Sequence, residues 1–315
     1  MRPVENQRTR RREQGTMSSQ EDQHHQHSLP SVGIIGLGDI GAGAAASIAS
    51  AGLALSVCDL RDEATSPFAE TATIALSPAA LASSSDVVII AVVNDAQVQS
   101  VLEGPNGVLA GARPGAVIVI VSTISPSTVA EVAILANAAG VGLVDCGVSG
   151  GPTAAAQGEL ICMVGGADED IERCRPALEA MSSLIVAMGP LGAGLMAKLA
   201  RNVVQYGSWL AAYEGQRIAE AAGVDLGKLA TVIKASDAKI GGPATLMFRP
   251  TITPFGPDDH PGLVEAMRTA AVLAHKDLHA ALALGHDLGI DLPLVEMTEA
   301  RCDDIFGLGT TGGDR

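Results

Sequence analysis

The sequence predicts a doubly wound α/β unit followed by an all-α unit, the two joined by one long interdomain helix. Three observations predict it. A Gly-x-Gly-x-x-Gly turn stands between a short apolar strand and an Ala-rich helix; later strands read as continuous apolar runs, as parallel strands buried on both faces must; and from Gly189 onward every periodic segment is helical. The 315 residues are 47% hydrophobic, enough for two cored domains, expected at 31–192 and 193–315. Aromatics are only 2%, so Ala, Val, Leu and Ile must do the packing.

Taken in order, residues 1–30 are polar and lack an apolar signal core, so a disordered leader is expected there. Val32 to Ile35 is the first strand, and Gly36-Leu37-Gly38-Asp39-Ile40-Gly41 follows at once. In this context the first glycine permits a tight turn, the second lets backbone approach a pyrophosphate, and the third lets helix pack on strand. Leu53 to Cys58 is a second strand. It ends at Asp59, where a Rossmann-type dinucleotide-binding fold places an acid on the adenosine ribose. Asp59 would accept from the 2'-hydroxyl and repel a 2'-phosphate, which favours NAD; Arg61 could swing onto that phosphate and keeps NADP open.

Asp86 to Val93 and Ala116 to Val121 are further buried strands, each ending in a turn: Asn94-Asp95 after the first, Ser122-Thr123-Ile124-Ser125-Pro126 after the second. Ligands of open parallel sheets bind at these carboxyl ends, so Thr123 is placed to touch cofactor or substrate while neighbouring hydroxyls compete to cap a helix. Gly142 to Asp145 is another strand, leading into Cys146-Gly-Val-Ser-Gly-Gly-Pro-Thr153. Its paired glycines after Ser149 make either an anion-binding nest or a plain turn. Leu160 to Val164, Ala167 to Met181 and Leu184 to Met188 extend the sheet.

Gly189 to Asn202 is a glycine-rich loop feeding a long helix that continues past Tyr213 to Ala222. On it Lys198 and Asn202 stand four residues apart and share a face. The later segments Leu226 to Ala235, Pro261 to Leu284 and Leu292 to Asp304 read as helices. His275 and His279 have the spacing of a metal pair without an evident third ligand, so no metal is expected. Lys276 would approach the cofactor cleft if the helical domain packed over the sheet.

Formal net charge is -15, which argues against a nucleic-acid or anionic-membrane partner. No apolar run approaches the length of a bilayer span. The five cysteines are scattered and unpaired in pattern, as in a protein of the reducing cytoplasm.

Together the Gly36 to Gly41 turn, Ser122 to Pro126, Ser149-Gly150-Gly151, Gly189 to Asn202 with Lys198, and Lys276-Asp277-Leu278 resemble the β-hydroxyacid dehydrogenase family, which includes 3-hydroxyisobutyrate dehydrogenase, within the 6-phosphogluconate dehydrogenase superfamily. The resemblance runs from about Val32 to Gly309. It implies hydride transfer between a nicotinamide and a small β-hydroxy acid or its aldehyde or keto partner, with Lys198 as general acid and base and Asn202 placing it and the substrate. It further implies that Ser149, Gly150 and Gly151 hold the substrate carboxylate, and that Thr123, Lys276, Val92 and Val93 contact the cofactor. The last two fall where the family has a Leu-Pro pair. Homodimers or homotetramers built through the helical part are also implied. Two alternatives remain: a reductase of an aldehyde acid or imine on the same fold, with Lys198 and Ser122 to Pro126 arguing against imine reduction, and a non-catalytic dinucleotide-binding interaction protein, against which Lys198 and Asn202 argue.

Overall fold

The computed structural model describes residues 29–309. The leader expected over residues 1–30 therefore lies outside the described residues, apart from Leu29 and Pro30. In chain order the elements are β1 (Val32–Ile35), α1 (Asp39–Ser50), β2 (Leu55–Cys58), α2 (Asp62–Thr65), β3 (Thr73–Ile74), α3 (Pro78–Ser83), β4 (Val87–Ile90), α4 (Asp95–Leu102), α5 (Val108–Gly111), β5 (Val117–Ile120), α6 (Pro126–Ala138), β6 (Gly142–Ser149), α7 (Gly151–Gln157), β7 (Leu160–Gly165), α8 (Asp168–Met181) and β8 (Ser182–Gly189). The helical part follows: α9 (Ala193–Ala221), α10 (Leu226–Ile240), α11 (Pro261–Leu288), α12 (Pro293–Ala300) and α13 (Cys302–Ile305).

The eight strands form one sheet in the order β3-β2-β1-β4-β5-β6-β7-β8. β3 through β6 are parallel, β7 runs antiparallel to β6, and β8 is parallel to β7. Alternation explains the continuous apolar runs. Ile34, Val87, Ile89, Val117 and Val119 pack into one core, while Ile35, Val88, Ile90, Ile118 and Ile120 pack into another. Successive side chains of each strand thus feed opposite faces, and each fully buried Val or Ile contributes about 1.5–3 kcal/mol.

One element differs from the sequence expectation in a way that shapes the site. β6 does not stop at Asp145 but continues through Ser149, pairing Cys146 to Ser149 with Val164 to Ile161 of β7. Reversal waits until Gly150, whose φ of 124° an L side chain rarely adopts. The short helix α7 then returns the chain at the same end of the sheet, which is why β7 enters antiparallel.

Helix starts follow local chemistry. Ser77, Asn94, Ser125 and Asp225 cap α3, α4, α6 and α10 by accepting from the backbone N–H three residues on. α9 has no cap of its own and takes a carboxylate from β6. Asp145, fully buried, accepts from Gly192 N at 2.6 Å and Leu195 N at 2.7 Å. A negative group at a helix N-terminus is favourable for both its hydrogen bonds and the dipole. Burial pushes the Asp145 carboxyl up from its usual range, although those backbone N–H groups oppose the shift. At its other end α9 donates a cap: buried Glu214 accepts from Leu294 N and Val295 N at the start of α12.

Candidate active site

Strand order reverses at β1, which lies between β2 and β4, and ligands of such sheets bind outside the carboxyl ends there. A cavity of about 640 Å³ opens at this point. Gly38, Asp39 and Ile40 line one wall, Val92, Val93, Ser122 and Thr123 the next, Ser149, Gly150 and Gly151 the floor, and Lys198 and Asn202 the face of α9. These are eleven of the positions singled out from sequence together with Ser122, brought to one place from four separate loops and one helix.

Gly36, Leu37 and Gly41 build the turn rather than line the cavity. Gly36 has φ of 90°, and a Cβ on Gly41 would run into the Gly36 carbonyl oxygen. Gly38 is different: a Cβ there would meet no protein atom within 4 Å, so its surface opens onto the cavity. α1 also starts without a side-chain cap. Uncapped N–H groups behind an open glycine surface suit a pyrophosphate, so the residues present fit a dinucleotide.

Asp59, just past β2, sits beside that turn. Its carboxylate accepts from Leu37 N at 2.7 Å and pairs with Arg61, whose Nε lies 3.0 Å away. Burial acts to raise the Asp59 carboxyl, but hydrogen bonds from Arg61 and Leu37 and the Arg61 charge outweigh it and hold the group below the usual carboxylate value. Arg61 is therefore folded back onto Asp59 and toward the Leu37 carbonyl, 3.4 Å from Nη2.

On the opposite wall, buried Ser122 ties two strand ends together. Its Oγ accepts from Val92 N at 2.9 Å and donates to the Ile90 carbonyl at 3.4 Å. Val93 N is taken by Gln97 Oε1 at 2.8 Å, so these two residues offer the cavity carbonyls and side chains rather than free N–H groups. Asp95 pins the Thr123 loop from below, accepting from Ser125 N at 2.8 Å and Thr128 Oγ1 at 2.5 Å; these bonds hold its pKa at about 2.

Lys198 reaches the cavity in the second turn of α9. Its Nζ donates to the Val148 carbonyl at 2.5 Å. Close approach of helix and strand is possible because β6 has glycine opposite: a Cβ on Gly147 would lie 2.5 Å from Lys198 Cβ. Burial, and next the charge of Arg201, lower the Lys198 pKa from the ordinary lysine value. An amine whose proton is held less tightly than an ordinary lysine's is the better suited to exchange a hydroxyl proton.

At the strand ends sequence reasoning missed the cavity residues Ala91, Val121 and Val148, and on α9 it missed four more, Arg201, Gln205, Tyr206 and Trp209. Their spacing from Lys198 was the available signal, since residues 3, 7, 8 and 11 positions on fall on or beside one helical face. It also missed Asp145 and Gly147, which set where α9 lies. Lys276, by contrast, is not brought to the cavity within this chain. It is exposed on α11 and pairs with Asp277 at 3.1 Å, because α11 packs on α9, α12 and α13 and not over the sheet. His275 and His279 both approach Glu299 of α12, at 3.2 and 3.0 Å, and His275 also approaches Asp303 at 3.4 Å. Among the described residues no group of such side chains is arranged to hold a metal ion.

Residues 31–189 match the family described as the NAD binding domain of 6-phosphogluconate dehydrogenase. An uncharacterized oxidoreductase of Mycobacterium tuberculosis strain H37Rv is 40% identical over 260 residues, which are 82% of this chain and 87% of that protein. The chain belongs to the NAD(P)-dependent hydroxyacid dehydrogenase family. Among solved structures, an oxidoreductase from Mycobacterium avium 104 is 39% identical and superposes with a TM-score of 0.81, covering 89% of this chain and all of that one. A Mycobacterium tuberculosis 3-hydroxyisobutyrate dehydrogenase crystallised with L-serine is 28% identical, with a TM-score of 0.62 over 87% of this chain and 93% of its own. This hydroxyacid dehydrogenase is thus an oxidoreductase built on an NAD-binding domain, of a family that acts on small hydroxy acids with a nicotinamide cofactor. Among the described residues no helix is long and apolar enough to cross a membrane.

Proposed function

We propose that this dehydrogenase interconverts a small 3-hydroxy acid, of the 3-hydroxyisobutyrate kind, and its aldehyde or keto partner, with residues 31–192 as the cofactor domain and 193–315 as the substrate and assembly domain. The observation that carries the reading is Lys198: a half-buried amine of lowered pKa that shares one cavity with the glycine turn and the Ser149 to Gly151 floor. When bound, the nicotinamide gives or takes the hydride. The chain's own part is to hold the substrate carboxylate at Ser149, Gly150 and Gly151, orient the carbinol with Asn202 and Thr123, and move the hydroxyl proton at Lys198 Nζ.

Asp59 favours NAD over NADP in this reading, because its carboxylate, with Arg61 drawn onto it, stands where a 2'-phosphate would go. The protein works as a homodimer or homotetramer. Support comes from the apolar side chains that α9 to α12 leave exposed, among them Val203, Trp209, Tyr213, Val232, Val272 and Met297. In such an assembly helices of a second copy, with Lys276 among them, would cover the open side of the cavity.

The test is a screen of small 3-hydroxy acids and their carbonyl partners by nicotinamide absorbance, with NAD and NADP in parallel and Lys198→Ala as control. Turnover that falls about 100-fold or more in the variant, with cofactor affinity kept, is expected. Near-normal turnover by Lys198→Ala would remove the reading.

A further inference from the structure

α9 directs more polarity into the cavity than a four-carbon hydroxy acid uses. Beyond Lys198 and Asn202 the same face carries Arg201, Gln205 and Trp209. From Lys198 to Trp209 the helix advances roughly 16 Å, at about 1.5 Å per residue. A short acid held by its carboxylate at Ser149 to Gly151 and by its carbinol at Lys198 leaves the stretch after Lys198 without a partner.

Arg201 is the unusual group in that stretch. Its Nη1 donates to Asn202 Oδ1 at 3.3 Å and its Nη2 to Gln205 Oε1 at 2.7 Å. Both acceptors are neutral amides. Arg61, Arg113, Arg173, Arg175, Arg268 and Arg301 each lie within 4 Å of a carboxylate; Arg201, Arg217 and Arg249 have no ion pair among the described residues, and of these three Arg201 alone lines the cavity, Arg217 and Arg249 donating to backbone carbonyls elsewhere. In a chain of net charge -15, an unneutralised guanidinium thus stands beside the Lys198 ammonium in one cavity. The two amides fix the plane of the guanidinium, and a planar fork of donors matches a carboxylate.

We propose that Arg201 is a specificity residue that receives a second carboxylate of the substrate, so that the hydroxy acid this enzyme takes is a dicarboxylate. Its first carboxylate lies on the Ser149 to Gly151 floor, its carbinol at Lys198, and its second carboxylate about one helical turn further along α9. The inference rests on the hydroxy-acid reading of the site and names its substrate class.

The experiment is calorimetric titration of the NAD-loaded full-length protein with glutarate and, separately, with butyrate, which has one carboxylate fewer. Neither acid has a hydroxyl to oxidise, so the readout needs no turnover. Glutarate is expected to bind about 10- to 100-fold more tightly than butyrate, as a charge-assisted pair supplies. Arg201→Gln should bring glutarate down to the butyrate level while leaving butyrate and NAD binding as they were, and Arg201→Lys should restore part of the difference. Glutarate binding no tighter than butyrate, undetectable binding of both included, overturns the inference, as does an equal loss for both acids in Arg201→Gln. A Lys198→Ala protein that still turns over hydroxy acids would instead strike the catalytic reading, and the two failures are separate.

Discussion

The sheet half and the helical half of this chain complete their cores to different degrees. β1, β4 and β5 have every residue buried, whereas α10 and α12 bury none, and α11 buries only Ala271 and Gly285 of its 28 residues. α9 belongs to both halves. Its first turns are locked to β6 by Asp145, where Lys198 lies, and its later turns expose Trp209 and Tyr213. The position of Lys198 is therefore set by the half whose core is closed, and under the proposed function the half that is open within one chain serves assembly.

Breaking the lock should have the largest effect. Asp145→Ala leaves Gly192 N and Leu195 N without their acceptor and removes a helix cap, a loss of about 2–4 kcal/mol. Denaturant unfolding should show that loss, and turnover should fall further than stability explains because Lys198 moves with α9. Gly147→Val attacks the same crossing from the strand side and should reproduce the turnover defect.

Assembly is the second point of contrast. Amide hydrogen exchange in α10 to α12 should slow as protein concentration rises, by about tenfold across the association range, while β1, β4 and β5 exchange at a rate independent of concentration. Concentration-independent exchange in both halves would remove the assembly role of the helices.

Cofactor choice belongs to the sheet half alone. Asp59→Ala should raise the NADP to NAD ratio of kcat/KM by about tenfold, since it removes a partly buried negative group and releases Arg61. The smallest effect is expected at Asp95. Its folded pKa of about 2 lies below the ordinary 3.8, so its contribution to stability is present above pH 3.8 and is lost as pH falls through about 2. Asp95→Asn should flatten the acid limb of the denaturant midpoint over that window.

The closed half was also the legible half. β1, β4 and β5 were readable because strands buried on both faces need apolar residues at every position, and the glycine turn and Asp59 because a tight turn and an acid at fixed spacing leave few other uses. β3 was not readable: two exposed residues on a sheet edge carry no pattern. The extension of β6 was hidden by Gly147, which reads as loop until Lys198 is seen packed against it. Arg201, Gln205 and Trp209 needed the cavity's position before their helical face meant anything. Lys276 shows the limit from the other side, since a motif locates a residue in sequence but the packing of α11 decides what it meets.

The most direct test of the central claim, that burial on α9 makes Lys198 the proton-exchanging group, is the pH dependence of alcohol oxidation in the wild type and in Lys198→Ala. The wild-type rate should rise with pH through a pKa below the ordinary lysine value of 10.5, because the neutral amine is the base and burial disfavours its charged form. In Lys198→Ala that limb should vanish along with at least about 100-fold of the rate. A variant that keeps both the rate and the limb would contradict the account.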